Sequence, residues 1–372
     1  MRISIVPYSE QHIAAVRAFN RRLREGGAPV DYFFSESPIP GWLPRFDEAP
    51  VYNEFYLAIE GDAVRGAFVL KWQEFSFSGA LKQLVYLHHP LSEGVVDKKY
   101  SQVGAQIVRR IVSEHPLLFA LGMGGYARPL PRMLLALGWK HCLIPFYFRV
   151  CEASKFLREM RTLRNTAAKR MATGAAVLTG LGPLALKSLQ AFRSTRARTD
   201  FLAEVVPEFD DWADRIWADA ASDFAMIAVR DAKTLRALYP VDNRIFTRIR
   251  VLVHGQPVGW AVAGILHRTG HEQYGELRVG TILDALAPPQ HATAVIAAAT
   301  QVLRDQGADL IGSNQSHAAW TAALSANGYF CGPSNFIFAS APAVSELLHP
   351  FEVAISRVHL NRGDGDNLLQ YR

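Results

Sequence analysis

Only three cysteines, Cys142, Cys151 and Cys331, occur in 372 residues. An odd number without close spacing excludes a disulfide framework and a zinc site, and suits a reducing compartment in which cysteines serve as small buried hydrophobes. No metal is expected. The opening MRISIVPYSE lacks an apolar core of signal-peptide length behind a basic start, so nothing in it directs export and a cytoplasmic location is expected. Charged residues make up only 20% against 49% hydrophobic, which excludes a disordered chain and provides for ample core. At this length two domains of about 150 residues each are expected.

What charge there is gathers in one place. Between Arg149 and Arg198 stand eleven Lys or Arg residues against two acids, a balance of +9 in a chain whose net charge is +6, so the remainder carries −3. Lys155 to Arg170 reads as helical, and Met171 to Phe192 follows with Lys187 as its only charge. Gly174, Gly180, Gly182 and Pro183 make that stretch weakly hydrophobic for a spanning helix. A helical hairpin packed on a domain, or lying on the inner membrane face as a peripheral element, fits better, and anionic surfaces are the expected partners of residues 155–198.

The stretch from Leu81 to Arg110 organises the first half. Leu84, Val85 and Leu87 form an apolar run of strand length that Pro90 ends, and Val103, Ile107, Val108, Ile111 and Val112 then recur at helical spacing. A strand feeding a helix start exposes backbone N–H groups that bind phosphate well. Upstream, Ile3 to Val6 suits a strand, and Ile13, Val16, Phe19 and Leu23 mark an amphipathic helix stopped by Gly26-Gly27. The loop from Ala28 to Pro50 carries Phe33, Phe34 and Trp42 and serves either as a lid on the core or as a substrate wall. FYLAIEGDAVRGAFVLKW reads as a hairpin turning at Gly61-Asp62. Downstream, PLLFALGMGG is a strand, Leu130 to Leu137 a short helix, and Gly138-Trp139 a turn into a strand over Leu143 to Val150.

This order of elements, with YLHHP closing the fourth strand, VGAQIVRRI opening the next helix and LALGWK before the last strand, resembles the GNAT fold of acyl-CoA-dependent N-acyltransferases. Residues 201–341 repeat the pattern: Gly61 is matched by Gly255 at an offset of 194, and Gly138-Trp139 by Gly328-Tyr329 at 190. The resemblance implies an α/β architecture of mixed sheets in two tandem GNAT-like domains, 1–150 and 201–372 with its tail, joined by a basic, partly apolar helical connector at 151–200. Tandem proteins of this kind are associated with bacterial cell-envelope polysaccharide biosynthesis.

The resemblance also implies a donor site for acetyl-CoA or a longer acyl-CoA in the first domain. Its pyrophosphate loop is matched in part by Lys99, Gln102, Val103, Gly104 and Ala105, with Leu87 on the strand before it, although Gly104 could instead mark close packing of helix on strand. The acid that protonates the leaving thiolate falls on Leu134 and, in the repeat, on Leu324, neither of which can donate, so Tyr126 is the substitute and His88 and His89 are the candidate bases. In the second domain Asp284, Asn314 and His317 lie near the corresponding strand ends. There Pro288-Pro289 opens the helix without a glycine loop, and no CoA is expected. Asp364 and Asp366 read as an acidic surface turn. The function implied is transfer of an acyl group to an amine on a small-molecule or lipid-linked acceptor such as an amino sugar. The alternatives are a Fem-type transferase drawing on aminoacyl-tRNA, whose connector would touch RNA phosphates, and a binding protein whose two sites have both decayed.

Overall fold

The computed structural model describes residues 3–29, 32–194 and 200–365, so Asp366 and the 195–199 end of the connector lie outside the described residues. In chain order the first half contributes β1 (Ser4–Pro7), α1 (Ile13–Glu25), β2 (Val51–Glu60), β3 (Ala63–Phe77), β4 (Ala80–Ser92), α2 (Val103–Glu114), β5 (Leu118–Gly122), α3 (Pro129–Ala136), β6 (Lys140–Leu143) and β7 (Phe146–Val150). The connector forms α4 (Ala153–Glu159), α5 (Ala167–Leu178) and α6 (Leu181–Ser194). The second half forms β8 (Leu202–Val206), α7 (Asp211–Ala220), β9 (Met226–Ala228), α8 (Ala232–Leu238), β10 (Thr247–Val253), β11 (Gln256–His267), β12 (Arg278–Leu286) and α9 (Ala292–Asp305). It closes with β13 (Leu310–Asn314), α10 (Ala318–Ala326), β14 (Phe330–Gly332), β15 (Ile337–Ser340) and the short β16 (Val358–His359), which is parallel to β9.

The chain divides into two units, Met1–Phe75 with Ala80–Leu143 and Ile337–Val353, and Ser76–Gly79 with Ile144–Phe336 and Ala354–Arg372. The first unit's sheet runs β1-β2-β3-β4-β5-β15-β6 and the second's, read in the corresponding direction, β8-β10-β11-β12-β13-β7-β14. The two orders match place by place, so the repeat is real at the level of topology. Yet each sheet takes its sixth strand from the opposite half of the sequence. Two linkers allow the exchange. Ile144-Pro145 separates β6 from β7, and a linker ending at Phe336 separates β14 from β15; Ile144 donates its N–H to the Phe336 carbonyl (2.8 Å) and accepts from the Ser334 hydroxyl (2.6 Å). Pro145 lacks the N–H a hairpin turn would use. The folded units change over at Leu143 and again at Phe336.

Alternation along the strands loads both faces of the first sheet. Leu57, Ala67 and Val69 pack with Val16, Phe19 and Leu23 of α1, whereas their neighbours Ala58, Phe68 and Leu70 pack with Val103, Ile107, Val108 and Ile111 of α2. A Cβ at Gly66 would meet Ile107 Cδ1 at 2.8 Å, and one at Gly259 would meet Val295 Cγ2 at 2.5 Å. Both glycines follow the hairpin, both lie under the helix that follows the fourth strand, and both let helix and sheet approach closely.

Local expectations change in four places. β4 continues past Pro90 to Ser92; beyond Tyr86 it has lost its β5 neighbour, and such an edge tolerates proline. The run Leu143 to Val150 is two strands in two sheets. The connector is not one helix to Arg170: it breaks at Met160 into a 3₁₀ turn, Arg161–Arg164, before Thr166 caps α5 by accepting from the Lys169 N–H (3.2 Å). The apolar run Phe351 to Val358, which reads as strand-like, instead forms helical turns at Phe351–Ala354 and Ile355–Arg357 and enters β16 only at Val358, since so short a run carries no distinguishing period.

The loop after β4 is pinned by a buried carboxylate. Glu93, 3% exposed, accepts from Arg22 Nε of α1 (2.7 Å) and from Arg65 Nη1 of β3 (3.0 Å), while Arg65 also lies over the Tyr100 ring at 4.1 Å. One side chain thus ties a helix, a strand and the approach to α2. Glu93→Ala would leave two half-shielded guanidinium groups facing an emptied pocket and should lower stability by about 3 kcal/mol, with Glu93→Gln costing less, as read from urea midpoints.

Candidate functional site

In the first unit β4 and β5 are parallel and paired only at Val85–Leu118 and Tyr86–Phe119. Beyond that point β4 goes on to Ser92, whereas Ala120, Leu121 and Gly122 of β5 are paired to β15 alone. Strands that part in this way leave backbone groups needing partners. Tyr86 spans the opening with a hydroxyl that donates to the Leu121 carbonyl (3.1 Å). Beyond the wedge stands the start of α2. Gln102 makes no side-chain cap, Gln106 is the first residue to donate within the helix (3.0 Å, to Gln102), and the N–H groups of Val103, Gly104 and Ala105 have no acceptor among the described residues. They carry the positive end of the helix dipole.

The six residues named for the donor play different parts. Leu87 (2% exposed) and Val103 (0%) belong to the core. The Lys99 N–H is occupied by Asp97 Oδ1 (2.9 Å), which leaves its exposed ammonium, 5.4 Å from the centre of the Tyr100 ring, as its contribution. Gln102 is exposed and Ala105 half-buried. Gly104 is not there for packing: an added Cβ would find Met133 Sδ at 3.8 Å and Ser92 Cβ at 3.9 Å, ordinary contacts. Nothing in the protein uses the space its missing side chain leaves.

His88 and His89 lie on β4 just beyond its last pair with β5, Tyr86–Phe119. His88 stacks on Tyr86 with ring centres 5.5 Å apart, as residues two apart on one strand face do, but His89 has φ +47°, which breaks the alternation and brings the two imidazoles to 6.0 Å. His89 Nε2 lies 3.0 Å from the Phe33 carbonyl. A carbonyl only accepts, so Nε2 carries the proton and the lone pair of the neutral ring sits on Nδ1. The same loop lays Phe34 against His89 at 6.4 Å, so the aromatic segment covers the strand end.

Tyr126 leaves β5 through four consecutive residues of positive φ, Gly122, Met123, Gly124 and Gly125. Its hydroxyl bonds His141 Nδ1 (2.9 Å), with neither strand histidine, and it lines a narrow apolar cleft together with Leu134, Trp139 and Met123. The fold therefore brings Tyr126 beside Leu134, whose side chain is wholly buried. Burial, then the neighbouring Cys142, raises the phenol pKa, so the hydroxyl keeps its proton at neutral pH. The sequence reading missed Lys71. Its ammonium, on a 2% exposed residue of β3, lies 5.9 Å from the Trp42 ring centre and 5.8 Å from that of Tyr86. The signal was present: a lone charge inside the apolar run Ala67 to Trp72.

The second unit meets the same constraint differently. β12 and β13 are paired from Val279–Leu310 to Ile282–Ser313 and then part. Here the chain's own segment fills the opening: Gly363 donates to the Leu283 carbonyl (3.0 Å), Ser316 to the Leu360 carbonyl (3.1 Å), and Asn361 Nδ2 to Asp284 Oδ1 (2.8 Å). Asp284, fully buried, accepts also from Arg230 Nε (2.7 Å) and the Tyr239 hydroxyl (2.7 Å), and Arg230 Nη2 reaches Asp364 at 2.5 Å. Burial alone would push the Asp284 carboxyl up; Arg230 with the two hydrogen bonds outweighs it and holds the group ionised. Asp364, read from sequence as a surface turn, is 1% exposed because it neutralises this arginine. A Cβ on Gly363 would stand 2.4 Å from the Tyr239 hydroxyl, so no side chain fits. Asn314 accepts from Arg362 Nε (3.0 Å), and His317 caps α10 by accepting from the Ala319 N–H (3.2 Å). No group of three His, Cys, Asp or Glu able to hold a metal occurs among the described residues.

Two imidazoles report on this plug. Burial, with Arg230 assisting against Asp284, lowers His359 to about 4, and burial with His359 and Arg357 lowers His317 to about 4. Both are neutral when folded, whereas unfolded they take up protons below about pH 6.5. Their stabilisation is complete above that value and is lost as pH falls towards 4. The unfolding free energy should decline across this window, and His359→Gln should flatten the decline by up to about 1.4 kcal/mol per pH unit. Urea midpoints from pH 7 to pH 4 measure it, and an unchanged slope would show that the ring is not held neutral.

No family model matches the sequence and no curated protein matches it. Solved structures do. An N-myristoyltransferase of Saccharomyces cerevisiae with bound myristoyl-CoA is 10% identical, with a TM-score of 0.50 over 91% of this chain and 78% of that one. A GCN5-related N-acetyltransferase from Anabaena variabilis is 9% identical, with a TM-score of 0.50 over 91% and 73%. A protein from Enterococcus faecalis described as a probable N-acyltransferase is 6% identical, with a TM-score of 0.50 over 94% and 75%. At this identity the likeness is one of fold: the chain is a mixed α/β protein with the GNAT fold.

Proposed function

We propose that the chain is an acyl-CoA-dependent N-acyltransferase whose first unit holds the donor. The observation that carries this reading is the contrast between two equivalent openings, one filled by Leu360 to Asp364 and one standing before a helix whose first N–H groups have no acceptor among the described residues. The pantetheine amides of the donor would pair with the parted edges of β4 and β5, and the pyrophosphate would take the N–H groups of Val103, Gly104 and Ala105, with Lys98 and Lys99 adding charge. Attack of an amine on the thioester carbonyl forms the C–N bond and breaks C–S. The amine proton passes to a base, for which His89 Nδ1 or His88 stands ready, and the departing thiolate takes the Tyr126 proton. The acceptor is an amine on a small or lipid-linked molecule, with an amino sugar of a cell-envelope intermediate as the leading candidate. Acetyl-CoA and longer acyl-CoAs are both candidate donors.

Titration calorimetry with acetyl-CoA and myristoyl-CoA should give one donor per chain. Gly104→Val should weaken the donor at least tenfold, whereas Lys98→Ala and Lys99→Ala, both exposed, should each cost less than about fivefold. Gly104→Ala should stabilise the unliganded protein by up to about 1 kcal/mol, since glycine is a poor helix residue and the added methyl fits. Absence of heat at millimolar donor, or heat indifferent to Gly104→Val, would refute the assignment and leave the non-catalytic reading.

Tyr126→Phe should slow turnover about a hundredfold while leaving donor affinity unchanged, and should remove the alkaline limb of the pH–rate profile. A parallel loss of donor affinity would instead make Tyr126 a wall of the cleft.

A further inference from the structure

The connector carries two features that the acyl-transfer site does not use. Beside the first turns of α5 lies a cavity of about 530 Å³ lined by Arg158, Arg161, Arg164 and Arg170 with Asn165, Glu159 and Glu272. None of the four arginines forms an ion pair among the described residues, and Arg164 Nε is buried with no acceptor. Four guanidinium groups against the carboxylates of Glu159 and Glu272 leave the recess net positive, a charge that a bound anion would offset, and planar N–H forks match phosphate oxygens. The second feature is apolar. Met171 is 77% exposed, Leu178 90%, Leu181 66% and Leu184 62%. The helices bearing them are fixed at one side: Gln190 of α6 donates to the Val150 carbonyl (2.9 Å) and accepts from its N–H (3.3 Å), and Leu186 packs on the core, so α6 hangs on β7 while Leu181, Leu184 and Leu189 face outward.

We propose that this connector docks on an anionic phospholipid bilayer, seating a lipid phosphate in the arginine-lined cavity and sinking the exposed side chains of α5 and α6 into the headgroup boundary. α5 joins the two features, since Arg170 lines the cavity and Met171 follows it. The mode is surface docking. α5 and α6 are about 18 and 21 Å long at 1.5 Å per residue, short of a hydrocarbon core of about 30 Å, and they are bent from each other by 78°. Exposed leucines beside a basic recess suit the boundary where acyl chains meet phosphates.

The test is co-sedimentation with vesicles of phosphatidylcholine alone and of phosphatidylcholine containing phosphatidylglycerol, at low and high salt. Binding should require the anionic lipid and weaken with salt. Arg161→Ala and Arg164→Ala should each weaken it about fivefold. Leu178→Asp with Leu184→Asp should lose at least tenfold, and Lys233→Glu, an exposed charge elsewhere, should change it less than twofold. Circular dichroism melts confirm that each variant is folded. Absence of sedimentation with anionic vesicles at low salt overturns the proposal. So does inorganic phosphate or tRNA bound at the arginines without vesicle binding, which would assign the recess to a soluble phosphate or to RNA. An equal loss from Lys233→Glu and Arg164→Ala would reduce the effect to general charge attraction and remove the seat.

Discussion

Two parallel strands that part company midway leave backbone groups that must find partners, and most of this chain can be understood as two answers to that constraint. In the second unit β12 and β13 separate after Ile282 and Ser313, and Leu360 to Asp364 enters as an extra rung. Once a polar segment is buried there it brings polar side chains with it, and Arg230 with Asp284, Asp364, Asn361 and Tyr239 forms a closed set in which each charge has an opposite neighbour. In the first unit β4 and β5 separate after Tyr86 and Phe119, and the Tyr86 hydroxyl reaches across to the Leu121 carbonyl.

The loop that follows β4 must hold its shape for the first opening to be useful, and Glu93 with Arg22 and Arg65 supplies that rigidity. Pinning the loop also places Tyr100 under Arg65, and α2 begins with N–H groups that have no acceptor among the described residues. An acidic residue so near a helix N-terminus would offset the positive end of its dipole if its charge were free. Here two guanidinium groups neutralise it, and the N–H groups of Val103, Gly104 and Ala105 remain the local electrostatic feature.

Local chemistry explains what the sequence could disclose. The hairpin at Gly61, the α1 stripe of Val16, Phe19 and Leu23, and the offset between the repeats are short-range patterns, and each is found as read. Gly66 and Gly259 carry the repeat further, at an offset of 193, with a shared packing reason. The exchange of β7 and β15 was invisible because a strand's period names its faces and not its neighbours. Asp364 was misread for a related reason: an acid between glycines has turn chemistry, and only Arg230, distant in sequence, makes burial tolerable. Among the site residues, the histidines could be placed at a strand end from sequence, but the positive φ of His89 and the proton on its Nε2 depend on the Phe33 loop.

The asymmetry between the units separates stability from binding. A gap filled by the chain itself is satisfied whether or not a ligand is present, and its cost is a set of buried charges that must all be kept together. A gap left open keeps backbone donors and acceptors available at the expense of local stability, the usual position of groups that meet a ligand. Duplication makes the division possible. One copy can commit its opening to a fixed plug because the other retains an opening of the same geometry, and the exchanged strands couple the folding of the two, since neither sheet has its sixth strand without the opposite half of the sequence. The plug in one unit and the vacancy in the other are therefore opposite uses of a single feature of the fold, the divergence of its fourth and fifth strands.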